Sequence, residues 1–417
     1  MGCKNIVVVG GGPAGMMAAI RAGQFKQETT LVEKNSGLGR KLLLTGKGRC
    51  NLTNACDLNT FLERFSKNGQ FLRDAFKSFF NRDLVYFFEE RGLKLKTERQ
   101  LRVFPVTDQS SSILEVLKKE LSKNKVRILY NSQVEDIILE NGEVEKLKLK
   151  DKTLISCKAI VLATGGVSYA STGSTGDGLR IAEKLGHRVL EPKPGLVPLI
   201  TKERYPKLLE GLSLKNIRIT FSDGKKKIIS EIGELLFTDF GISGPLVLTL
   251  SGQVVDWLRK GKNVYAEIDL KPALSKEKIE ERLLREIKSN PRKTIKNMLK
   301  SLLPSRLIGV FLDISKICSD KIVSHIKQEE RKRLASLCKA LPLGIFKSRS
   351  LNVAMVTRGG ISLKDISPRT MESRLVKGLY FAGEIIDVAA DTGGFNLQAA
   401  FSTGYLAGQS SAKKSIP

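Results

Sequence analysis

Strand, glycine turn, helix, strand and terminal acid follow one another within the first 33 residues, and few folds accommodate that order. Ile6 to Val9 is a continuous apolar run, as a strand buried on both faces requires. Gly10-Gly11-Gly12-Pro13-Ala14-Gly15 fits GxGxxG, and a helical pattern follows through Met16, Met17, Ala19 and Ile20 to about Gly23. A second strand, Thr30 to Val32, ends on Glu33, with Lys34 next. Each residue type has a physical reason. Gly10 permits the tight turn, Gly12 lets backbone approach a pyrophosphate, and Gly15 allows close helix–strand packing. The helix start offers free N–H groups and a positive dipole end to phosphates. Glu33 would accept hydrogen bonds from ribose hydroxyls. GxGxxG alone is a weak signal, but in this context it predicts a dinucleotide cradle. The cradle does not separate FAD from NAD.

Later segments narrow the choice. Gly37 to Asn54, GLGRKLLLTGKGRCNLTN, is a loop rich in Gly, Lys and Arg that can wrap a pyrophosphate and extend towards a flavin ring. Residues 60–92 read as helical, with Phe61, Phe65, Phe76, Phe79, Phe80, Phe87 and Phe88 at spacings that suit a core better than a base-stacking platform. A helix is expected from Ser110 to Ser112 onward. Strands are expected at 126–130, 134–139, 144–149 and 159–163, with Asn141-Gly142 a type I′ hairpin signal. Pro and Gly concentrate between Pro192 and Pro198, which marks a boundary. Residues 196–270 read as β-rich, and residues 271–351 as helical and basic, with 17 Lys/Arg against 8 Asp/Glu between Lys271 and Arg333. Strand, turn and acid recur at Gly378 to Glu384, and Thr392-Gly393-Gly394-Phe395-Asn396-Leu397-Gln398 leads into a last helix. Two regions at opposite ends of the sequence would thus meet around one cofactor.

A chain of 417 residues suggests two or three domains. No apolar stretch reaches the roughly 20 residues of a membrane span. The first strand begins almost at once, leaving no room for a signal peptide, so a cytoplasmic location is expected. The six cysteines are scattered without a CxxC pair, and the only histidines are His187 and His325. A structural zinc site, a disulfide framework and a Ser-His-Asp triad are all poorly supplied, and no metal is expected. The formal charge of +27 has two readings: a basic bias without function, or a polyanionic partner, most plausibly nucleic acid.

The stretches GGGPAGMMAA, GRKLLLTGKGRCNLTN, ATGGVSYASTGSTGDG, GELLFTDFGISGP and TMESRLVKGLYFAGEIIDVAADTGGFNLQAAFSTG resemble the aminoacetone-oxidase-like, or BaiN-like, bacterial flavoproteins, in order and over nearly the whole chain. The resemblance implies an α/β fold of the two-dinucleotide-binding (glutathione-reductase-like) type. Residues 1–195 and 352–417 would form a discontinuous FAD domain, 196–270 an inserted β-barrel, and 271–351 an inserted basic helical subdomain. Gly10, Gly12, Pro13, Ala14, Gly15, Glu33 and Lys34 would hold the ADP half. Arg40, Lys41, Thr45, Gly46, Arg49, Cys50 and Asn51 would lie towards the pyrophosphate and flavin. Val134, Ala163, Thr164, Gly165, Gly166, Gly176 and Asp177 would form a second nucleotide-side wall. Gly383, Glu384 and Asp387 would hold the ribityl chain, and Gly393, Gly394, Phe395, Asn396 and Gln398 would lie against the isoalloxazine. The family pattern carries His where this chain has Asp239, which puts a substrate-side or proton-transfer role at that position in doubt.

An FAD-dependent oxidoreductase follows, and NAD(P)H, another reductant or oxygen would close its cycle. Family substrates divide between small amines or unsaturated compounds and uridines of large ribosomal RNA. The charge tips the expectation to ribosomal RNA and dihydrouridine synthesis, with a small-molecule oxidase or reductase, or a flavin-containing RNA-binding factor, as alternatives. For uridine reduction a protein acid must protonate one ring carbon. Cys50 is the candidate; its other reading is a packing residue. Arg40, Lys41, Lys47 and Arg49 would either neutralise the pyrophosphate or hold a substrate anion. His187 is read as a surface residue.

Overall fold

The computed structural model describes residues 5–413. They divide into two compact units, one made of the chain up to Gly195 and from Leu351 onward, the other of Leu196–Ser350.

The first unit is built on a parallel sheet of β1 (Ile6–Val9), β2 (Thr29–Val32), β3 (Arg127–Leu129), β4 (Ala159–Leu162) and β5 (Leu379–Phe381). Their order is β5-β4-β1-β2-β3, which puts β1 at the centre. Every neighbouring pair is parallel. All four β1 residues are buried, which is why that strand is apolar without alternation. Helix α1 (Pro13–Gln24) opens with proline, whose missing N–H costs nothing in a first turn. Helix α2 (Phe395–Lys413) lies against it. A Cβ on Gly404 would stand 2.2 Å from the Ala14 carbonyl oxygen, and one on Gly408 would stand 2.3 Å from that of Ala18. Two glycines one helical turn apart therefore set the approach of α2 to the cradle helix.

The segment 60–92 is broken rather than continuous: short helices Leu58–Glu63, Arg73–Ser78 and Asn81–Glu89, with a tighter turn at Ser66–Leu72. Its phenylalanines pack inward. Phe61 meets Phe76 at 5.1 Å and Phe395 at 4.7 Å, both edge to face. Asn141 and Gly142 take φ of 51° and 78°, the left-handed pair a type I′ hairpin needs.

The second unit holds an antiparallel sheet closed on itself. Its strands run Ser213–Ser222, Gly233–Thr238, Gly241–Ser243, Leu199–Thr201, Leu341–Ser348 and Val264–Asp269, and the last pairs back with the first. Helices Lys276–Ser289, Ser305–Ser315 and Gln328–Lys339 bury Ile279, Phe311 and Leu334 in the same core as the barrel residues Phe221 and Ile268. The closing strand Leu341–Ser348 corrects the helical reading of 271–351. Leu341, Leu343 and Ile345 alternate into the core at strand spacing, a short signal that follows three helices. No described helix is long and apolar enough to cross a membrane.

Candidate cofactor site

A cavity of about 210 Å³ lies at the carboxyl ends of β1, β2 and β4, where ligands of open parallel sheets bind. All of its lining residues belong to the first unit.

One end is formed by the turn Gly10 to Ala14. Gly10 has φ of 106°, and a Cβ there would lie 2.6 Å from the Ala163 carbonyl oxygen. Gly15 is not in the wall; its Cβ would collide with the Gly10 oxygen at 1.9 Å, so it serves packing. Gly12 is different, because a Cβ there would meet nothing within 4 Å. Helix α1 starts from it with no side-chain cap and no acid in its first turn, so its free N–H groups open onto the cavity. Glu33, at the end of β2, lines the same space. Its Oε2 accepts from the Gly11 N–H at 2.7 Å and its Oε1 from the Asn35 N–H at 2.8 Å. Those bonds fix the carboxylate without exhausting its lone pairs.

Lys34 and Asp177 pair across this end at 2.8 Å. Burial acts to raise the Asp177 pKa, but hydrogen bonds from Lys34 and Thr175 outweigh it and hold the carboxyl below its ordinary value. Ala163, Thr164, Gly165 and Val134 complete the wall. The Thr164 hydroxyl is buried without a hydrogen-bond partner among the described residues. Gly166 and Gly176 are outside the wall; a Cβ on Gly166 would meet the Thr357 hydroxyl at 2.3 Å.

Further along, Lys41 donates to Ser168 Oγ at 2.6 Å and to Glu384 Oε2 at 2.7 Å. Glu384 Oε1 accepts from Ser168 Oγ and from the Thr357 N–H. Arg40 is tied to Asn35, and Gly383, Thr45 and Asn396 line the remaining length. The first turn of α2 carries no acid, and its Asn396 and Leu397 face the cavity.

Several expected contacts are elsewhere. Cys50 is fully buried in the core and outside the cavity wall. Burial pushes its thiol up to about 12, only partly offset by a hydrogen bond with Thr45. A proton donor must reach substrate, so the acid role is corrected in favour of packing. Arg49 turns away to Glu98 and Asp108 and stacks on Phe104. Lys47 is exposed and, like Gly46, outside the wall. Gln398 is completely buried and bonds Thr53 and Ser402, while Phe395 joins the phenylalanine core. Asp387 is a structural acceptor for the Gly359 N–H and Asn68. With its amide oxygen accepting from the Gly394 N–H, Asn51 donates to the Thr53 carbonyl, and Asn54 donates to the Gly393 carbonyl. These bonds knit the 45–54 loop to the start of α2. Asp239 is an exposed turn residue of the second unit. His187 is buried and bonded to Ala182 and Ser373, not at the surface.

Gly11, Gln133, Met355, Val356 and Val388 line the cavity without having been singled out. Gly11 belongs to the fingerprint itself. Of the others only Val356 lies in a strand; Gln133, Met355 and Val388 are loop residues with no local sequence signal. Among the described residues no group of three His, Cys, Asp or Glu side chains is placed to hold a metal ion.

The open face at Gly12, the uncapped helix start and the fixed acid at Glu33 suit a dinucleotide. Comparison with known proteins agrees. The HI0933-like protein Rossmann domain family matches residues 4–410. A 3-dehydro-bile acid delta(4,6)-reductase of Clostridium scindens is 32% identical over 415 residues, 99% of this chain and 100% of its own. A ribosomal RNA dihydrouridine synthase of Haemophilus influenzae is 32% identical over 403 residues, 96% of each. In fold, the chain superposes on the 3-ketosteroid-delta4-(5alpha)-dehydrogenase of Rhodococcus jostii RHA1 with a TM-score of 0.55 at 14% identity, covering 99% of this chain and 98% of that one. The chain belongs to the HI0933-like family and is an FAD-dependent oxidoreductase.

Proposed function

We propose that this enzyme reduces the C5=C6 bond of a uridine in large ribosomal RNA to give dihydrouridine, with NAD(P)H as the transient reductant. The two relatives above, equal in identity, differ in substrate, and charge is the observation that favours the second. Residues 196–350 hold 31 Lys/Arg against 17 Asp/Glu, whereas the larger remainder holds 39 against 26. A small substrate needs no such field, but a polyanion is drawn in by it and gains affinity by counterion release. Not every cation of that unit is available. Arg331 pairs with Glu280, Lys321 with Glu330, Lys339 with Asp269, and Arg333 donates to the Ser315 carbonyl. Arg292, Lys293, Lys296 and Lys300 are all exposed and have no carboxylate partner among the described residues.

In this reading the cavity residues hold FAD, which supplies hydride chemistry when bound. The turn Gly10 to Ala14 and the start of α1 receive the pyrophosphate, and Glu33 the adenosine ribose. Lys34 and Asp177 fix the adenosine-side wall. Lys41 and Glu384 orient each other beside the ribityl chain. The N–H groups of the first turn of α2 favour negative charge on the ring system. Cys50 retains its proton and takes no part, so the proton for the second ring carbon comes from another group. A uracil must leave its stack to lie flat at the flavin, so an unpaired or flipped-out uridine is the substrate.

The test is nucleoside analysis of large ribosomal RNA from cells lacking the gene. Dihydrouridine should be lost, and restored by the parent protein but not by Gly12→Val. An unchanged nucleoside profile would overturn the proposal in favour of a small-molecule reductase. That second reading is supported by the match to the Clostridium scindens enzyme along its entire length. It predicts turnover of a 3-dehydro-bile acid by the purified protein.

A further inference from the structure

Two aromatic rings stand on the outside of the barrel, where a solvated face would ordinarily carry polar groups. Tyr265 is 53% exposed and Phe346 is 60% exposed. They lie on the adjacent antiparallel strands Val264–Asp269 and Leu341–Ser348. Tyr265 is directly opposite Gly344, so Phe346 is its diagonal neighbour, at the ~7–8 Å Cβ spacing of such pairs.

Phe346 is outside by the strand's own alternation, which takes Leu341, Leu343 and Ile345 inward, and a bulge follows it. Ile200 pairs with Lys347 and Thr201 with Ile345, which leaves Phe346 as the extra residue. Ile345 is buried while Phe346 and Lys347 are both exposed, so the alternation is broken at this point. A bulge re-aims a side chain, and here it brings Lys347 out beside the exposed ring. Gly344 contributes as well. It offers no side chain to cover Tyr265, and the Lys202 chain crosses it, with Cδ only 2.9 Å from where a Cβ would be.

Cations surround the rings. Lys202 Nζ lies 5.8 Å from the centre of Tyr265 and Lys347 Nζ lies 5.5 Å from that of Phe346. Arg349 stacks over the nearby Phe240 at 4.7 Å. Glu203, the neighbouring acid, is engaged by the Gly344 N–H. Glu267 is the one exposed carboxylate on the Tyr265 strand and borders the patch.

We infer that Tyr265 and Phe346 form a stacking platform for two unpaired nucleotides of an RNA strand, with Lys202 and Lys347 turning from the rings to its phosphates. The inference rests on the RNA reading above and adds where unpaired strand is held. Flat rings accept any base, and lysines in a flexible fringe neutralise backbone charge, the combination that single-strand binders use. Duplex RNA, whose bases are already stacked, gains nothing from the rings.

The test compares the flavin-loaded parent with Tyr265→Ala/Phe346→Ala and with Lys202→Gln/Lys347→Gln. Affinity for an unstructured RNA oligonucleotide and for a duplex of equal length is measured by fluorescence anisotropy over a salt series. The ring variant should lose at least tenfold in affinity for the single strand, keep its duplex affinity and keep its salt slope. The lysine variant should flatten the slope of log affinity against log salt by about 1.4, two contacts at single-strand strength. Flavin content and melting temperature equal to the parent show that both variants fold. Single-strand affinity of the ring variant equal to the parent's would overturn the platform. If that variant also restores dihydrouridine to the deletion strain, the RNA substrate stands without the platform. If deletion leaves dihydrouridine unchanged, the substrate reading fails on its own, and the platform is decided by the binding series alone.

Discussion

The cavity of the first unit and the 292–300 stretch of the second use positive charge in different ways. In the cavity of the first, Lys34 and Lys41 are each matched to a carboxylate, Asp177 and Glu384, at 2.8 and 2.7 Å. They act as struts that fix a wall, and their charge is largely cancelled. In the second, Arg292, Lys293, Lys296 and Lys300 are exposed, and none has a carboxylate partner among the described residues. Their charge projects into solvent. A count of Lys and Arg cannot distinguish a strut from a field. The partners do, and they separate cations that brace a cavity wall from cations that face solvent.

The contrast is broken most directly through the glycines of the cradle. Gly15→Ala should cost on the order of 3 kcal/mol, because its Cβ has no room beside the Gly10 oxygen. Melting of the purified protein would register it. Gly12→Val should leave the melting temperature of the flavin-free protein near that of the flavin-free parent yet abolish retained visible absorbance, since the side chain enters open space that a pyrophosphate would take. If Gly12→Val retained flavin, the assignment of this end of the cavity would be wrong. Gly224→Ala, at a surface turn of the second unit with φ of 87°, should cost only about 1 kcal/mol and retain flavin fully.

An effect smaller than that of Gly15→Ala is expected at Lys41. Lys41→Met leaves Glu384 half-buried without its cation, and should lower stability by about 1–3 kcal/mol and weaken FAD binding. Titration of the flavin-free protein with FAD reads the second part. Equal FAD affinity would mean that the strut shapes nothing the cofactor touches.

Cys50 offers a pH test. Its thiol is raised in the folded protein, from about 9 to about 12, so the folded state keeps a proton that the unfolded state has lost between those values. The stabilisation is complete below pH 9 and falls by about 1.4 kcal/mol per unit as pH rises towards 12. Cys50→Ala should therefore show a shallower alkaline loss of stability than the parent, while its turnover stays within about twofold at neutral pH. A large fall in turnover with an unchanged alkaline slope would return Cys50 to the reaction.

The smallest change is expected from Asp239→His, which installs the residue usual at that position. Asp239 is an exposed turn residue, so stability should move by no more than about 0.5 kcal/mol. Any gain in turnover would then report on chemistry rather than folding.

The cradle was legible because its constraints are local: a glycine turn, a helix start and an acid at a strand end lie within 33 residues. The barrel's closing strand was not, since Leu341–Ser348 is eight residues whose meaning comes from pairing with Val264–Asp269 and Leu199–Thr201. The flavin-side residues divide for a similar reason. Asn396 and Gln398 sit two positions apart on one helix, about 200° around its axis. The motif names both, and only the packing of α2 on α1 decides that Asn396 meets the cavity and Gln398 the core. Cys50 was misread because nearness in sequence to Arg49 and Asn51 says nothing about which way a left-handed residue, here with φ of 60°, directs its side chain.

The seam between α1 and α2 has a consequence for biosynthesis. The ribosome makes Pro13–Gln24 some 370 residues before Phe395–Lys413, yet Gly404 and Gly408 must lie on Ala14 and Ala18 before the cradle helix is covered. Edge strand β5 is also late. The whole of Leu196–Ser350, with its own core, is translated in between and can close first. The early cradle strand then waits with an apolar flank open, and flavin loading becomes one of the last events in the making of the enzyme. Nascent chains halted before residue 379 should carry a protease-resistant barrel while remaining colourless.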